Sequence, residues 1–138
     1  MEIKLLEGFD DITFGTSMET FITKLGQPDQ QEIISDDDDP VTTVLLQYEA
    51  LNTSFFFEGK NEKYYLNSCD SNNEDCQLFG NRIFEKSPKE LIELFQNMGF
   101  EKYETATEEW GEMRLSFENS MADFYFENKK LISVIWGY

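Results

Sequence analysis

Acidic side chains are the groups in this sequence that could do chemistry, and they form two clusters. Residues 36–39 are four aspartates, and a second cluster contains Asp70, Asn72, Glu74 and Asp75. Carboxylate and amide oxygens bind Ca²⁺ and Mg²⁺, and paired carboxylates hydrolyse glycosides. Neither cluster has the glycine and the terminal glutamate of a calcium-binding loop. Because 28 of 138 residues are acidic, accidental pairs carry no weight. We therefore predict no metal site and no catalytic carboxylate pair.

Other catalytic residue types are missing or badly spaced. The chain has no histidine, which excludes Ser–His–Asp and Cys–His catalysis and histidine-containing zinc sites. Its eight glycines form no phosphate-binding loop. Cys69 and Cys76, in a segment predicted to be a polar loop, could close a small disulfide ring or remain free, and we expect free thiols. The sequence thus predicts neither an enzyme nor a cofactor.

The composition is typical of one folded, acidic domain. Hydrophobic residues make up 40% of the chain and aromatic residues 15%, while 11 Lys and Arg oppose 28 Asp and Glu, for a net charge of −17. This charge repels nucleic acid and anionic membranes. A leader of the export type and an apolar run of about 18 residues are not found. We predict one cytoplasmic domain over residues 1–138.

An internal repeat organises the chain. Residues 46–60 (LQYEALNTSFFFEGK) and 115–129 (LSFENSMADFYFENK) are identical at six of fifteen positions, at an offset of 69 residues. Such self-similarity indicates repeated structural units. Helix-start patterns recur 70 residues apart, at Ser17 and Ser87. We predict pseudo-repeats over residues 9–69 and 78–138.

Each repeat is predicted to begin with a short helix. Ser87 as N-cap, with Pro88 and Glu90 behind it, is a complete helix-start signature. In the first half, Thr16 or Ser17 is the predicted N-cap and Glu19 could complete a capping box.

Two-residue alternation after each helix predicts strands with one buried face. The first strand of each set is predicted over residues 31–35 and 99–107. We predict an α+β fold in which two tandem helix-plus-four-strand repeats form one antiparallel sheet of about eight strands, with the helices on one face. The side chains predicted to point toward the helices are Val44, Leu46, Tyr48, Phe55, Phe57, Met113, Leu115, Phe117, Phe124 and Phe126.

The opposite face of this sheet carries the candidate binding residues. Phe56 and Tyr125 are predicted to point away from the helices, where large rings have no core to enter. They could pack on one another across strands or anchor a partner. Tyr64 and Trp136 are lesser candidates whose faces the pattern does not fix. Neighbouring acids favour a basic protein partner. The predicted partner-binding residues are Phe56, Glu58, Trp110, Asp123, Tyr125, Glu127, Asp36, Asp37, Asp38 and Asp39.

The tandem halves and one motif carry a family resemblance. The segment GTSMETFITKLGQPDQ runs from Gly15 through Leu25-Gly26 to Pro28-Asp29, and with the acidic aromatic sheet it resembles the β-lactamase inhibitor protein-like fold. In the second half Gln96-Asn97-Met98-Gly99 replaces the Leu-Gly-x-Pro order. The resemblance implies a protein-protein binder that docks partners on a concave eight-stranded sheet.

These observations predict an intracellular inhibitor, of the immunity-protein type, that neutralises a basic bacterial toxin by occluding its active site. We expect a monomer that forms a 1:1 complex. The alternative is an acidic nucleic-acid mimic that occupies a DNA-binding protein, and an enzyme using carboxylates alone is a third reading. The net charge is −10 for residues 1–69 (4 − 14) and −7 for residues 70–138 (7 − 14). In the second half Lys and Arg are interspersed among the acids, which favours the mixed interface of an inhibitor.

Overall fold

The computed structural model describes residues 1–35, 40–108 and 111–138. Within these ranges the chain forms an eight-stranded antiparallel sheet, a three-stranded sheet, a two-stranded sheet and two α-helices, α1 at Met18–Leu25 and α2 at Pro88–Asn97. The predicted α+β class and large antiparallel sheet are confirmed. The strands are β1 Ile3–Lys4, β2 Gly8–Phe9, β3 Ile12–Thr13, β4 Gln30–Ile34, β5 Thr42–Tyr48, β6 Thr53–Lys60, β7 Lys63–Ser71, β8 Gln77–Leu78, β9 Asn81–Arg82, β10 Glu104–Thr107, β11 Glu112–Phe117, β12 Ala122–Glu127 and β13 Lys130–Gly137.

The large sheet has the strand order β10-β11-β12-β13-β7-β6-β5-β4. Helix α1 precedes the four strands of one half and α2 precedes the four strands of the other. The halves meet at the centre, where β13 pairs antiparallel with β7 from Val134 opposite Ser71 to Gly137 opposite Ser68. Strand β4 matches the first strand predicted over residues 31–35 to within one residue. The strand predicted over residues 99–107 is shorter than expected, because β10 begins only at Glu104 and residues 99–103 form no strand.

One face of the sheet is buried, and both helices lie on it. Nine of the ten side chains predicted to point inward are fully or almost fully buried, and Met113 is partly buried. Phe21 of α1 lies with its ring centroid 4.8 Å from that of Phe55. Phe95 of α2 stacks on Phe117 at 3.8 Å. Burial of this aromatic core is the main stabilising contribution to the sheet.

Both helices begin at a serine N-cap. The Ser87 side chain accepts a hydrogen bond from the Glu90 backbone N–H, and the Glu90 carboxylate accepts one from the Ser87 N–H. This is the predicted capping box. In the first half Ser17 is the cap and accepts from the Thr20 N–H. The predicted role of Glu19 is therefore wrong, because with Ser17 as cap the third helical residue is Thr20.

Replacing Ser87 by alanine is expected to lower the free energy of unfolding by about 1 kcal/mol, because the Glu90 backbone N–H in the first turn of α2 loses its hydrogen-bond acceptor. Urea unfolding followed by far-UV circular dichroism measures this loss. Ser87→Asp keeps an acceptor at the cap and should retain most of the stability. An alanine variant as stable as the wild type would contradict the capping role.

A small N-terminal sheet, which the sequence did not predict, covers part of the core. Phe9 of β2 stacks on Phe55 with a centroid separation of 5.0 Å. The Trp136 indole N–H donates to the Gly8 carbonyl at 2.9 Å, and Trp136 is fully buried. Trp136 is therefore a core residue. Strands β1 to β3 have two residues each, which is too short for a periodic pattern to show.

Local irregularities recur at matching positions in the two halves. Single 3₁₀ turns at Glu49–Leu51 and Glu118–Ser120 each end at a residue in the left-handed conformation, Asn52 and Met121. The ladders shift register after Phe56 in one half and after Tyr125 in the other. These features are 69 residues apart. In the described ranges, no helix has the length and apolarity needed to cross a membrane.

Candidate protein-binding face

The face of the large sheet opposite the helices carries the candidate site, and we call it the open face. Its side chains alternate with the buried ones and are half-buried or exposed, although both helices and the aromatic core lie on the other side. Its central described side chains are Leu45, Ser54, Phe56, Asp70, Arg114, Ser116, Asp123, Tyr125, Ser133 and Ile135. An uncovered sheet face with half-buried rings is a surface on which a partner can dock.

The two predicted anchor rings stand well apart on this face. Phe56 lies between Leu45 and Ser68 in register, whereas Tyr125 lies between Arg114 and Ser133. Three strand spacings, about 14 Å across the sheet, separate the two, and they are also offset by four residues along the strands, because Phe56 is level with Gly137 and Tyr125 with Ser133. Neither ring belongs to an aromatic pair among the described residues. The reading in which the two rings pack on one another is therefore wrong.

The open face is acidic. By strand alternation it presents seven described carboxylates and four cations. The carboxylates are Glu32, Glu58, Asp70, Glu104, Glu112, Asp123 and Glu127, and the cations are Lys60, Lys63, Arg114 and Lys130. Burial raises the pKa of Tyr125, and the Asp123 carboxylate adds to the rise while Arg114 opposes it. The tyrosine therefore sits within the field of these charges.

Asp70 is the central carboxylate of the open face. It pairs in register with Ser54 on one side and Ile135 on the other, and it is half-buried. Burial raises the pKa of the Asp70 carboxyl above its ordinary value. In the described part of the chain its carboxylate forms no ion pair and accepts no side-chain hydrogen bond. The same carboxylate is a minor contributor to the raised pKa of Tyr125.

Sequence reasoning missed this role of Asp70 because of a β-bulge. The hairpin turn pairs Lys60 with Lys63, and unbroken counting from there would set Cys69 opposite Ser54. The register shift after Phe56 leaves Asn67 without a register partner and sets Asp70 opposite Ser54 instead. The bulge therefore turns Asp70 outward and Cys69 into the core. The alternation of polar and apolar residues in the sequence does not show where a bulge occurs.

The other predicted site residues are distributed as follows. Asp123 lies on the open face beside Ile135. Glu58 and Glu127 are exposed near opposite ends of the same face. Tyr64 faces the core and is no anchor. Asp36, Asp37, Asp38, Asp39 and Trp110 lie outside the described residues.

The two cysteines lie in the core, and the second acidic cluster contributes an ion pair. Cys69 lies in β7 and is buried, so its predicted place in a polar loop is wrong, and Cys76 is also buried. Both thiols are free. Asp75 pairs with Arg82 at 2.8 Å. Among the described residues, no three His, Cys, Asp or Glu side chains are grouped to hold a metal ion.

Replacing Asp70 by asparagine is expected to raise the free energy of unfolding at pH 7 and to leave it unchanged near pH 3. The pKa of Asp70 is higher in the folded than in the unfolded chain. As pH rises through its ordinary value, the unfolded chain ionises first and the stability falls until the pH passes the raised pKa. Asparagine cannot ionise and escapes that fall. Urea unfolding between about pH 3 and pH 7 measures the difference.

Glu93→Gln, at an exposed position on α2, controls for the lower net charge. A pH-independent difference between Asp70→Asn and the wild type would show that ionised Asp70 does not cost stability.

A scan against protein-family models, a search of curated proteins and a search of solved structures find no match for this chain. The function proposed for the chain therefore depends on the geometry and charge of the open face.

Proposed function

We propose that this protein is an inhibitor of the immunity type, which binds a basic toxin through the open face and blocks the toxin's active site. It acts as a monomer and forms a 1:1 complex. Inhibition is steric, so no cofactor and no chemical step by this chain are required. The resemblance to the β-lactamase inhibitor protein-like fold is part of the proposal, because proteins of that fold dock partners on such a sheet.

The observation that carries the proposal is the pair of rings on an uncovered acidic sheet. Phe56 and Tyr125 are half-buried, three strands apart, and without an aromatic partner in the described chain. A partner surface laid over them would remove both rings from water, as at the anchor positions of protein interfaces. The surrounding carboxylates would speed association with a basic protein.

We further propose that the two halves arose as a tandem repeat. Support comes from the matching serine caps, 3₁₀ turns and register shifts at offsets of 69 or 70 residues. The strand order, in which the halves meet at β7 and β13, is the order expected of two equivalent units joined about a pseudo-twofold axis, and it supports this proposal. The two free thiols support a reducing compartment, the cytoplasm.

Affinity capture from the native host tests this function. The immobilised chain should retain one basic protein in a 1:1 ratio, and retention should fall as sodium chloride is raised, because salt screens the attraction. The captured protein should lose its enzymatic activity when the chain is added. Recovery of many DNA-binding proteins would instead favour the nucleic-acid mimic, and recovery of none would contradict both.

A further inference from the structure

The open face contains a cleft beside Asp70. The cleft measures about 550 Å³, and its lining includes Gln47, Ser54, Asp70, Asn72 and Ser133. These side chains all carry oxygen acceptors, and no lysine or arginine of the described chain lines the cleft. A cavity rich in acceptors and poor in cations favours a ligand that is positively charged and donates several hydrogen bonds.

The Asp70 carboxylate is placed where it could select the ligand that enters the cleft. It lies in the middle of the sheet, half-buried, with no ion pair in the described chain. A charge withdrawn from water without a partner costs stability. Asparagine would have nearly the same size without that cost, so the aspartate has no advantage for the folded chain alone. Groups that lower stability in this way are common at functional sites.

We infer that this cleft binds an arginine side chain of the basic partner, with the guanidinium group against the Asp70 carboxylate. The inference rests on the proposed function, since it names the partner group that the open face recognises. The planar guanidinium has five N–H donors, and it can therefore reach Asp70 and also the oxygens of Ser54 and Ser133.

Arginine fits this cleft better than lysine. Guanidinium is more weakly hydrated than ammonium, so it loses less on entering a half-buried site. Ile135, the register partner of Asp70, and Ile132 in the cleft lining offer apolar surface to the methylene groups of the arginine side chain.

A small-molecule titration tests the inference without the partner. N-acetyl-arginine amide is added to the ¹⁵N-labelled full chain, and chemical shifts of the backbone amides are followed. We expect shifts centred on Ser54, Asp70 and Ser133, with at least tenfold weaker binding to Asp70→Asn. The neutral isostere N-acetyl-citrulline amide should give no such shifts, and N-acetyl-lysine amide should bind more weakly than the arginine compound.

Glu93→Gln is the matched control, because it removes one carboxylate from α2 on the opposite side of the sheet. It should bind the arginine compound as the wild type does. Equal binding by Asp70→Asn, shifts spread over all acidic regions, or no shifts at all would each overturn the inference. Asp70→Asn should also be more stable than the wild type at pH 7, so that lost binding cannot be ascribed to unfolding.

Failure of this inference and failure of the proposed function give different results. If arginine binds at Asp70 but the captured partner is insensitive to changes at Phe56 and Tyr125, the docking surface is wrong and the cleft remains. If the partner needs both rings but Asp70→Asn binds both the partner and the arginine compound normally, the docking surface remains and the cleft assignment is wrong.

Discussion

Alanine at both Phe56 and Tyr125 should weaken binding of the basic partner by about three orders of magnitude. Anchor residues at protein interfaces cost about 2 kcal/mol or more each when truncated, and about 4 kcal/mol together corresponds to roughly a thousandfold change in Kd. Each ring is partly exposed in the free chain, so a docked partner would remove the exposed part from water. Isothermal titration calorimetry or surface plasmon resonance with the captured partner measures the change.

A matched variant separates anchoring from general effects of ring loss. Tyr103 is 43% exposed and lies near Phe117, with ring centroids 6.2 Å apart, on the helix-bearing side of the sheet. Tyr103→Ala should bind the partner as tightly as the wild type. If the double variant also retained wild-type affinity, the binding surface would lie elsewhere, and the occlusion mechanism proposed for the open face would be wrong.

Alternation predicted the faces of the strands because burial on one side of a sheet imposes a period of two residues. It identified Phe55, Phe57 and Phe124 as core residues, and all three have 0% exposure. It placed Phe56 and Tyr125 on the opposite face, where they are half-buried. These positions depend only on their immediate neighbours, so local sequence suffices to assign them.

The features that the sequence did not predict depend on register shifts between strands and on contacts between residues far apart in the sequence. In β13 both Leu131 and Val134 are buried. They are three residues apart, and in a regular strand two such side chains would face opposite sides of the sheet. The register shift opposite Tyr125 leaves Ile132 without a register partner and resets the alternation, which brings Trp136 into the core. The contact between Trp136 and Gly8 joins residues 128 positions apart, and no local pattern encodes such a contact.

The largest stability effect is expected from Phe95→Ala, which should lower the free energy of unfolding by about 3–5 kcal/mol. Phe95 is fully buried, stacks on Phe117 and meets the rings of Phe124, Phe79 and Phe100 at 5.5, 5.7 and 5.7 Å. Alanine would leave a cavity bounded by rigid rings, which relax little to fill it.

Phe56→Ala makes the same chemical change on the open face and should cost only about 1 kcal/mol, because part of that ring is already in contact with water. Phe95→Ala should shift a single unfolding transition, since the pairing of β13 with β7 and the Trp136–Gly8 hydrogen bond tie the halves together. Near- and far-UV circular dichroism in urea should therefore report the same midpoint. Two separate transitions would show that the halves do not share one cooperative core. Equal losses of stability for Phe95→Ala and Phe56→Ala would show that the open face is not the exposed side of the sheet.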